Sequence, residues 1–292
     1  MTFNSRLYIR RCLEAIAGST LLPPATVVVD NASADGTAED VARAFAWVTV
    51  LRRPTNEGFA AGANAGIRWC RASGHDAVLL LNPDAFVEPG AIAALAEAAA
   101  RRPRALIGAQ LVPDADPLRT PAAGAHISWW RGRAVGGTRP ASSAERTAGA
   151  TGSWPDEARV EALCGACLLL TRDALDEVGL LDEGYFLYFE DTDFCVRAAV
   201  AGWELWHTCR AVVRHHEGAA TGGPRAPLAM YYFVRSRHRF VRKFRAGTSV
   251  YPAFLAYEAA DVCARMARAF LGGRPALGRA IWRGWNDGRQ AE

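Results

Sequence analysis

One carboxylate directly follows a strongly apolar run, a position from which it could support metal chemistry. Residues 78 to 84 read Val-Leu-Leu-Leu-Asn-Pro-Asp, so the apolar segment ends in a short polar turn that carries Asp84. The run predicts a central strand of a parallel sheet, and open α/β sheets bind ligands at the carboxyl ends of such strands. Asp84 could there bind a divalent cation, and the cation could bind the oxygens of a diphosphate. A plain strand-to-helix turn, with Asp84 capping a helix that begins near Pro89, explains the same residues.

Two other groups of acidic residues stand at the ends of predicted elements. Asp30 ends the apolar run Val27-Val28-Val29, and an ordinary Asx-rich turn would account for it. Asp191 and Asp193 fall in the first turn of a helix predicted over residues 191 to 201, which Gly202 closes. The helix dipole favours anions there and keeps a carboxylate ionised, but simple capping is an equally good explanation.

The elements that position these residues alternate along the chain. Strands are predicted at residues 27–30, 48–51, 77–81 and 105–110, and helices over residues 4–18, 37–46, 59–71 and 89–101. This alternation predicts βαβ units, and thus a mainly parallel, mixed α/β sheet flanked by helices. An apolar strand should precede residues 2 to 4, but only Met1 stands there, so we expect either that the true start lies upstream or that the sheet lacks its first strand.

The second half of the chain has a less regular pattern. Residues 112 to 157 are rich in Pro, Gly, Ala and Ser, with Trp129-Trp130 in their middle, and predict a long excursion or mobile loop over the site. A strand at residues 161–171, a helix ending at Val178, and two short strands at 204–206 and 211–214 are predicted next. From about Pro227 the chain is predicted to be helical.

Composition limits the class of protein. The 292 residues, half of them apolar, suffice for one large α/β domain with an appendage, divided here into residues 1–226 and 227–292. The chain has neither an apolar run of roughly 18 residues nor a signal-peptide pattern, which predicts a cytosolic protein. Seven cysteines do not form a disulfide framework, and Cys164-Gly-Ala-Cys167 indicates small core residues rather than zinc ligands.

The C-terminal region is basic and rich in aromatic residues. From Tyr231 to the end, twelve Arg or Lys stand against four Asp or Glu, a net of +8 in a chain of +4, which leaves −4 for the rest. Residues 231 to 245 combine five aromatic rings with six cations, a composition that suits a helix at an anionic membrane surface. A helix packed on the main domain with solvated arginines is an alternative. Nucleic-acid binding is another, but no recognised nucleic-acid fold accompanies the segment.

Several motifs in order resemble glycosyltransferase family 2 on the GT-A fold, and within it the bacterial rhamnosyltransferase-like members. The resemblance covers about residues 1 to 245. The segments that carry it are Thr2-Phe3-Asn4-Ser5, residues 28–36 (VVDNASADG), residues 56–60 (NEGFA) with Asn64, residues 81–84 (LNPD), residues 179–183 (GLLDE), residues 189–193 (FEDTD) with Arg197 and Gly202, and residues 215–218 (HHEG).

The resemblance assigns expected roles to individual residues. It implies that Thr2, Asn4 and Asp30 contact the nucleotide base, and that Asn56, Gly58, Asn64 and Asn82 lie at the sugar nucleotide. Many relatives have Asp-x-Asp where this chain has Asn82-Pro83-Asp84, which leaves Asp84 as the main ligand of Mg²⁺ or Mn²⁺, with His215 as a further ligand and His216 as a structural residue. Asp191 corresponds to the general base of an inverting transfer, Glu190 would orient the acceptor, and Arg235 would contact a lipid diphosphate.

The expected function is an inverting, metal-dependent glycosyltransferase at the cytoplasmic face of the membrane. It would move one sugar, L-rhamnose from a dTDP donor or another sugar from a UDP donor, to a lipid-linked saccharide. The Gln-x-x-Arg-Trp signature of processive relatives is absent from the C-terminal part, which favours one sugar per encounter. Two other classes of function are a non-catalytic sugar-nucleotide-binding relative and a sugar-1-phosphate nucleotidyltransferase. The second is less favoured, because this chain has no Gly-rich loop with Arg and Lys after an initial strand.

Overall fold

A computed structural model describes residues 1 to 114, 125 to 136, 156 to 216, 222 to 223 and 226 to 290. The helices are α1 (Arg6–Ala17), α2 (Thr37–Ala44), α3 (Phe59–Ala72), α4 (Ala91–Arg101), α5 (Arg172–Val178), α6 (Glu190–Val200), α7 (Pro227–Arg245), α8 (Val250–Leu271) and α9 (Pro275–Gln290). The strands are β1 (Thr26–Asp30), β2 (Val48–Arg52), β3 (Ala77–Leu81), β4 (Ala85–Val87), β5 (Ala105–Pro113), β6 (Ala125–Ser128), β7 (Arg133–Gly136), β8 (Glu157–Arg159), β9 (Cys167–Thr171) and β10 (Glu204–His215).

The predicted mixed α/β architecture is confirmed, with more antiparallel pairing than expected. A six-stranded sheet has the order β3-β9-β5-β10-β4, and β8 pairs with β10. Strand β9 runs antiparallel to both β3 and β5, whereas β5 and β10 are parallel. The antiparallel β9 comes after β5 in sequence and inserts between β3 and β5, a crossover that helical and strand periodicity cannot reveal.

Very little of the described chain lies where a strand was predicted before residues 2 to 4. Strands β1 and β2 form a separate parallel pair, and a single bridge between Thr2 and Asp30 continues that pair. Thr2 donates its backbone N–H to Val29 O at 2.8 Å and accepts from Asn31 N at 2.8 Å. Thr2 is therefore paired with the end of β1 through two backbone hydrogen bonds.

Helix α1 shows why the helical predictions succeed. Its Ile9, Cys12, Leu13 and Ile16 are buried on one face, as their spacing predicts. Ser5 occupies the N-cap position. Helix α1 and α4 cover one face of the larger sheet in a common hydrophobic cluster, while α3, α5 and α6 contribute to a cluster on the other.

Three sequence predictions need correction. Residues 204–215 form one strand, β10, whose register shifts between Thr208 and Val212, instead of two short strands. The strand predicted at 161–171 is limited to β9. Trp129 and Trp130 lie in the turn of a hairpin formed by β6 and β7, where the partly buried Trp129 stacks on the buried Phe240 of α7 with ring centroids 5.2 Å apart. Most of the rest of the predicted loop lies outside the described residues.

The C-terminal helices share a hydrophobic core with the rest of the chain. Phe240, Val241 and Phe254 from α7 and α8 pack with Tyr185 and Phe189 in one cluster. None of the helices in the described part of the chain has both the length and the apolar character that crossing a bilayer requires.

Candidate active site

Asp84 and His215 meet at one edge of the larger sheet. Asp84 directly precedes β4, and His215 ends β10, which pairs antiparallel with β4 so that His215 lies opposite Ala85. His215 Nε2 lies 3.4 Å from Asp84 Oδ1, and both side chains are largely buried. The strand pairing therefore joins two residues that are 131 positions apart in sequence.

The donors around Asp84 suit a divalent cation. In the described residues no group of three or more His, Cys, Asp or Glu side chains is placed to hold a metal ion. However, Asn82 Oδ1, two residues from Asp84, is buried without a hydrogen-bond partner among the described residues. A buried oxygen without a partner is costly unless a ligand satisfies it. Two oxygens and one imidazole nitrogen fit Mn²⁺ or Mg²⁺, so the residues present are compatible with the metal site that the sequence predicts.

The second pair of carboxyl groups, Glu190 and Asp191, begins α6. Gly165 N donates to Asp191 Oδ2 at 2.8 Å, and Thr192 N donates to Asp191 Oδ1 at 2.6 Å. A Cβ on Gly165 would lie 3.2 Å from the Asp191 Cβ, so the glycine permits this close contact. Tyr188 and Phe189, immediately before α6, both have positive φ, which indicates a strained approach to the two carboxyl groups.

Two hydrogen bonds connect the two pairs. Gly165 binds Asp191, and the next residue, Ala166, accepts from Asn82 N at 3.0 Å. The short segment before β9 thus lies between the Asp191 carboxylate and the turn that carries Asp84. Both carboxylates lie at the same edge of the sheet, as a shared cleft requires. Gly165 was not predicted from the sequence, because a backbone N–H donor leaves no side-chain pattern.

Burial affects the acidity of both groups at the start of α6. It raises the pKa of Glu190 well above its usual value, with the nearby charge of Asp191 as a smaller cause. Burial also raises the pKa of Asp191, while the Gly165 and Thr192 hydrogen bonds oppose the increase. Glu190 Oε2 is buried and has no partner among the described residues. Of the two carboxyl groups, Glu190 therefore keeps its proton to higher pH, and Asp191 ionises first.

The predicted nucleotide-base residues are brought together at the end of β1. Asp30 Oδ1 accepts from Thr2 Oγ1 at 3.2 Å, and Asp30 Oδ2 accepts from Ser33 N at 3.1 Å. Asn4 Oδ1 accepts from Ala34 N at 2.9 Å. Asn4 and Ala32 are the other non-glycine residues with positive φ in the described chain, so strain is concentrated in the two predicted site loops.

The loop at Asn56 is held by amide groups. Asn31 Nδ2 donates to Asn56 Oδ1 at 2.8 Å and to Gly58 O at 2.9 Å, and Gly58 N donates to Asn56 Oδ1 at 3.0 Å. Gly58 has φ +92°, and a Cβ there would lie 2.4 Å from Phe186 O. Gly58 thus permits a close approach to the backbone of Phe186, and its predicted place at the sugar nucleotide stays a prediction.

Asn64 is placed differently from the prediction. Its Nδ2 donates to Leu181 O at 2.9 Å and Glu183 Oε1 at 2.8 Å, and its Oδ1 accepts from Leu181 N at 3.0 Å. Because both amide hydrogens are already used and the residue is 1% exposed, Asn64 ties α3 to the loop before α6 rather than contacting a ligand.

Two further side chains have structural partners. Asp193, which is fully buried, binds Arg197 and Lys243 at 2.6 Å each. Lys243 also binds Asp182 at 2.8 Å and so joins α7 to the loop before α6. The His216 ring packs on Tyr8 at 4.8 Å, as expected for a structural residue.

Arg235 lies on α7, away from the carboxyl groups in the contacts that the structure shows. Its backbone lies against Gly288 of α9, where a Cβ would come within 3.1 Å of Arg235 O. The side chain is partly exposed, and its positive charge acts on the neighbouring Tyr231 and Tyr232.

Comparison with known proteins gives consistent results. A sequence model described as Glycosyl transferase family 2 matches residues 1–154. The chain is 33% identical over 258 residues to an N-acetylglucosaminyl-diphospho-decaprenol L-rhamnosyltransferase of Mycobacterium tuberculosis, which covers 82% of this chain and 83% of the relative.

Two solved structures share the fold. GalNAc-T7 with UDP, GalNAc and Mn²⁺ has a TM-score of 0.60 and 17% identity over 81% of this chain and 45% of its own. The mannosyltransferase PcManGT from Pyrobaculum calidifontis, in complex with GDP-Man and Mn²⁺, has a TM-score of 0.57 and 14% identity over 100% of this chain and 86% of its own.

Proposed function

The chain belongs to glycosyl transferase family 2 and is a glycosyltransferase, and on that premise we propose that it moves one L-rhamnose from dTDP-rhamnose to a lipid-linked saccharide. The reaction would be inverting, metal-dependent and non-processive, and would take place at the cytoplasmic face of a membrane where the protein binds peripherally. The relative from Mycobacterium tuberculosis supports the sugar and the acceptor class, because its name specifies an L-rhamnosyltransferase acting on an N-acetylglucosaminyl-diphospho-decaprenol.

This proposal rests on one observation: the segment Gly165-Ala166 contacts both Asp191 and the turn that carries Asp84. Gly165 binds Asp191 and Ala166 binds Asn82, so a proton acceptor and a diphosphate-binding turn have a common support. A single displacement needs these two parts, a base for the incoming hydroxyl and a means of stabilising the leaving nucleotide. The hydrogen bonds from Gly165 and Thr192 fix the orientation of the Asp191 carboxylate, whose raised pKa makes it a stronger base.

Glu190 is suited to hold the acceptor. Because burial raises its pKa well above the usual value, it would carry a proton and could donate a hydrogen bond to an acceptor oxygen. Its unpartnered Oε2 is the atom that an acceptor hydroxyl would satisfy. Arg235 is the proposed contact for the lipid diphosphate, and the partly exposed position of its side chain leaves it accessible.

The donor would lie between β1 and the Asp84 turn. Asp30, oriented by Thr2 and Ser33, is placed to accept from the imide N–H of thymine or uracil. Asn82 Oδ1, Asp84 and His215 would hold Mg²⁺ or Mn²⁺, which when bound neutralises negative charge on the diphosphate. The chain needs no covalent sugar intermediate, since inversion requires only one displacement.

Transfer of labelled rhamnose tests the proposal. The full chain is incubated with dTDP-rhamnose labelled in the sugar, a detergent-solubilised polyprenyl-diphosphate N-acetylglucosamine and MnCl₂. We expect a single rhamnose on the acceptor, an inverted anomeric configuration by NMR, release of dTDP, and loss of the reaction with EDTA. Release of pyrophosphate would indicate a nucleotidyltransferase, and donor binding without turnover would indicate a non-catalytic relative. UDP-sugars as donors provide the matched comparison for the nucleotide and the sugar.

A further inference from the structure

Exposed apolar side chains cluster where α8 ends and α9 begins. We call residues 266 to 283 the α8–α9 tip. Phe270, Leu271 and Trp282 in this tip are 48%, 89% and 49% exposed. Phe270 and Trp282 line a shallow, almost wholly apolar depression of about 370 Å³. Isolated exposed apolar residues are ordinary, but a contiguous group is typical of an interaction surface.

The charged residues within the tip all have one sign. Between Arg268 and Arg283 the sequence contains four arginines and no Asp or Glu, the other two arginines being Arg274 and Arg279. All four are exposed. Arg268, Arg279 and Arg283 have no ion pair with a carboxylate in the part of the chain that the structure describes. An apolar centre with a cationic rim is complementary to a bilayer that contains anionic lipid, with rings at the acyl boundary and arginines at the phosphates.

Helix α7, the segment that composition favoured for this role, faces inward instead. Val234 and Phe240 are fully buried and Arg237 is 1% exposed. Arg237 binds Asp261 at 2.7 Å, and Lys243 binds Asp182 at 2.8 Å. Three of its six cations, Arg237, Arg239 and Lys243, form ion pairs within the protein, so about half of the positive charge of α7 is directed to internal carboxylates.

The packing of α9 fixes the tip relative to the active site. A Cβ at Gly284 would lie 2.3 Å from Tyr231 O, so α9 lies directly on the backbone of α7. Helix α7 in turn binds the loop before α6, because Ser236 Oγ donates to Leu187 O at 2.9 Å. A surface contacted by the tip would therefore have a defined position relative to Glu190.

We propose that the α8–α9 tip is the membrane-docking surface of this protein and that it binds bilayers rich in anionic phospholipid. Phe270, Leu271 and Trp282 enter the interface, and Arg268, Arg279 and Arg283 bind lipid phosphates. The role in catalysis rests on the proposed function, since docking brings the site to a lipid-linked acceptor. Binding to the bilayer is independent of turnover.

Vesicle flotation of the full chain tests the surface. Vesicles of phosphatidylcholine alone are compared with vesicles containing one third phosphatidylglycerol. We expect preferential binding to the anionic vesicles, weakened by added salt, and a loss of about tenfold or more in two triple variants, F270S/L271S/W282S and R268Q/R279Q/R283Q. Matched controls are L7S/V200S, which remove other exposed apolar residues, and R10Q/R43Q/R159Q, which remove other exposed arginines; both should bind like the native chain.

Three results would overturn the proposal: equal binding to neutral and anionic vesicles, unchanged binding of both tip variants, or an equal loss in the control variants. A dimer in solution that F270S/L271S/W282S converts to a monomer, without vesicle binding, would assign the surface to a second copy instead. Circular dichroism of each variant separates loss of binding from loss of folding.

Activity measurements separate this inference from the proposed function. With a detergent-solubilised acceptor the tip variants should turn over like the native chain, whereas with a vesicle-embedded acceptor they should be slower in proportion to their lost binding. If no rhamnose is transferred in either format, the proposed function fails while the flotation result stands. Slow transfer in both formats would contradict a docking role for the tip.

Discussion

Two adjacent carboxyl groups have different environments, and that difference indicates their roles. Asp191 receives hydrogen bonds from two backbone N–H groups, whereas Glu190 has an oxygen without a partner among the described residues. Donors stabilise a carboxylate, and burial without donors favours the neutral acid. These environments support the proposal that Asp191 is the base and Glu190 the neutral hydrogen-bonding group.

Asp191→Asn should remove the base while retaining the shape of the side chain. We expect kcat to fall by about 10²–10⁴-fold, the usual contribution of a positioned general base, with nearly unchanged dTDP-rhamnose binding. In the native enzyme kcat should fall as pH decreases through a pKa above 3.8, because burial raises the pKa of Asp191 and the working form is ionised. Kinetics and donor calorimetry measure both quantities. Near-native kcat in the variant would remove Asp191 from the base role.

Glu190→Gln should change stability in a pH-dependent way. Because the pKa of Glu190 is raised in the folded protein, the folded state holds its proton more tightly than the unfolded state does. The native chain therefore loses stability as pH rises from about 4.5 through the folded-state pKa, and the variant does not. Thermal unfolding from pH 4.5 to 8 should show the variant gaining relative stability toward pH 8 while its activity declines. A parallel pH dependence in both proteins would contradict the assignment.

His215→Ala tests the proposed metal site without changing the charge on Asp84. We expect the Mn²⁺ concentration needed for half-maximal activity to rise by about ten- to a hundredfold, since an imidazole ligand is lost. Metal titration followed by dTDP-rhamnose turnover measures the change. His216→Ala is the matched control, because His216 packs on Tyr8 and should affect folding rather than metal dependence. An unchanged Mn²⁺ requirement in His215→Ala would exclude His215 as a ligand.

The sequence predicted some parts of the candidate site better than others, for physical reasons. Asp84 and His215 were both predicted, and the structure brings them together because β4 and β10 pair. Asn64 was assigned to the ligand since a motif shows residue type but not whether the amide is already satisfied internally. Gly165 was not predicted, because its contribution is a backbone N–H and a close approach.

At the scale of elements, periodicity predicted helices well and strand connections poorly. The apolar stripe of α1 marks its buried face directly. Strand β10 was divided in two because its register shift interrupts the alternation of apolar residues. The β6 and β7 hairpin was not predicted, since its stability comes from contacts of Trp129 and Trp130 with distant helices.

The contact between α7 and α8 depends on a buried charge cluster. Glu258 is fully buried, and it lies 2.6 Å from His238 Nδ1 and 3.5 Å from Arg237 Nε. Glu258→Gln should lower the free energy of unfolding by about 3–5 kcal/mol, because it leaves buried Arg237 with less compensating charge. Urea unfolding measures the change. The exposed Glu14, changed to Gln, should alter stability by less than about 0.5 kcal/mol, and equal effects of the two changes would contradict the argument.

At the scale of the whole molecule, residues 1–226 and 227–292 differ in composition but share one core. Phe240 and Phe254 fill the cluster that contains Tyr185 and Phe189, the residue immediately before Glu190. Lys243, the only lysine of the chain, binds Asp193 in the first turn of α6. The C-terminal helices therefore pack against the segment that carries the two proposed catalytic carboxyl groups.

A chain ending at residue 226 should accordingly fail to fold as an active unit. This truncation removes α7 to α9, which exposes the apolar side chains that pack on Phe240 and leaves Asp193 without Lys243. We therefore expect the fragment to aggregate and to show no donor hydrolysis. Full-length Lys243→Met is the matched comparison, since it removes only the ion pairs and should remain folded with reduced kcat. Solubility, circular dichroism and dTDP release measure these outcomes. A soluble, cooperatively folded 1–226 fragment that still releases dTDP would show instead that the boundary separates an autonomous catalytic domain from an accessory one.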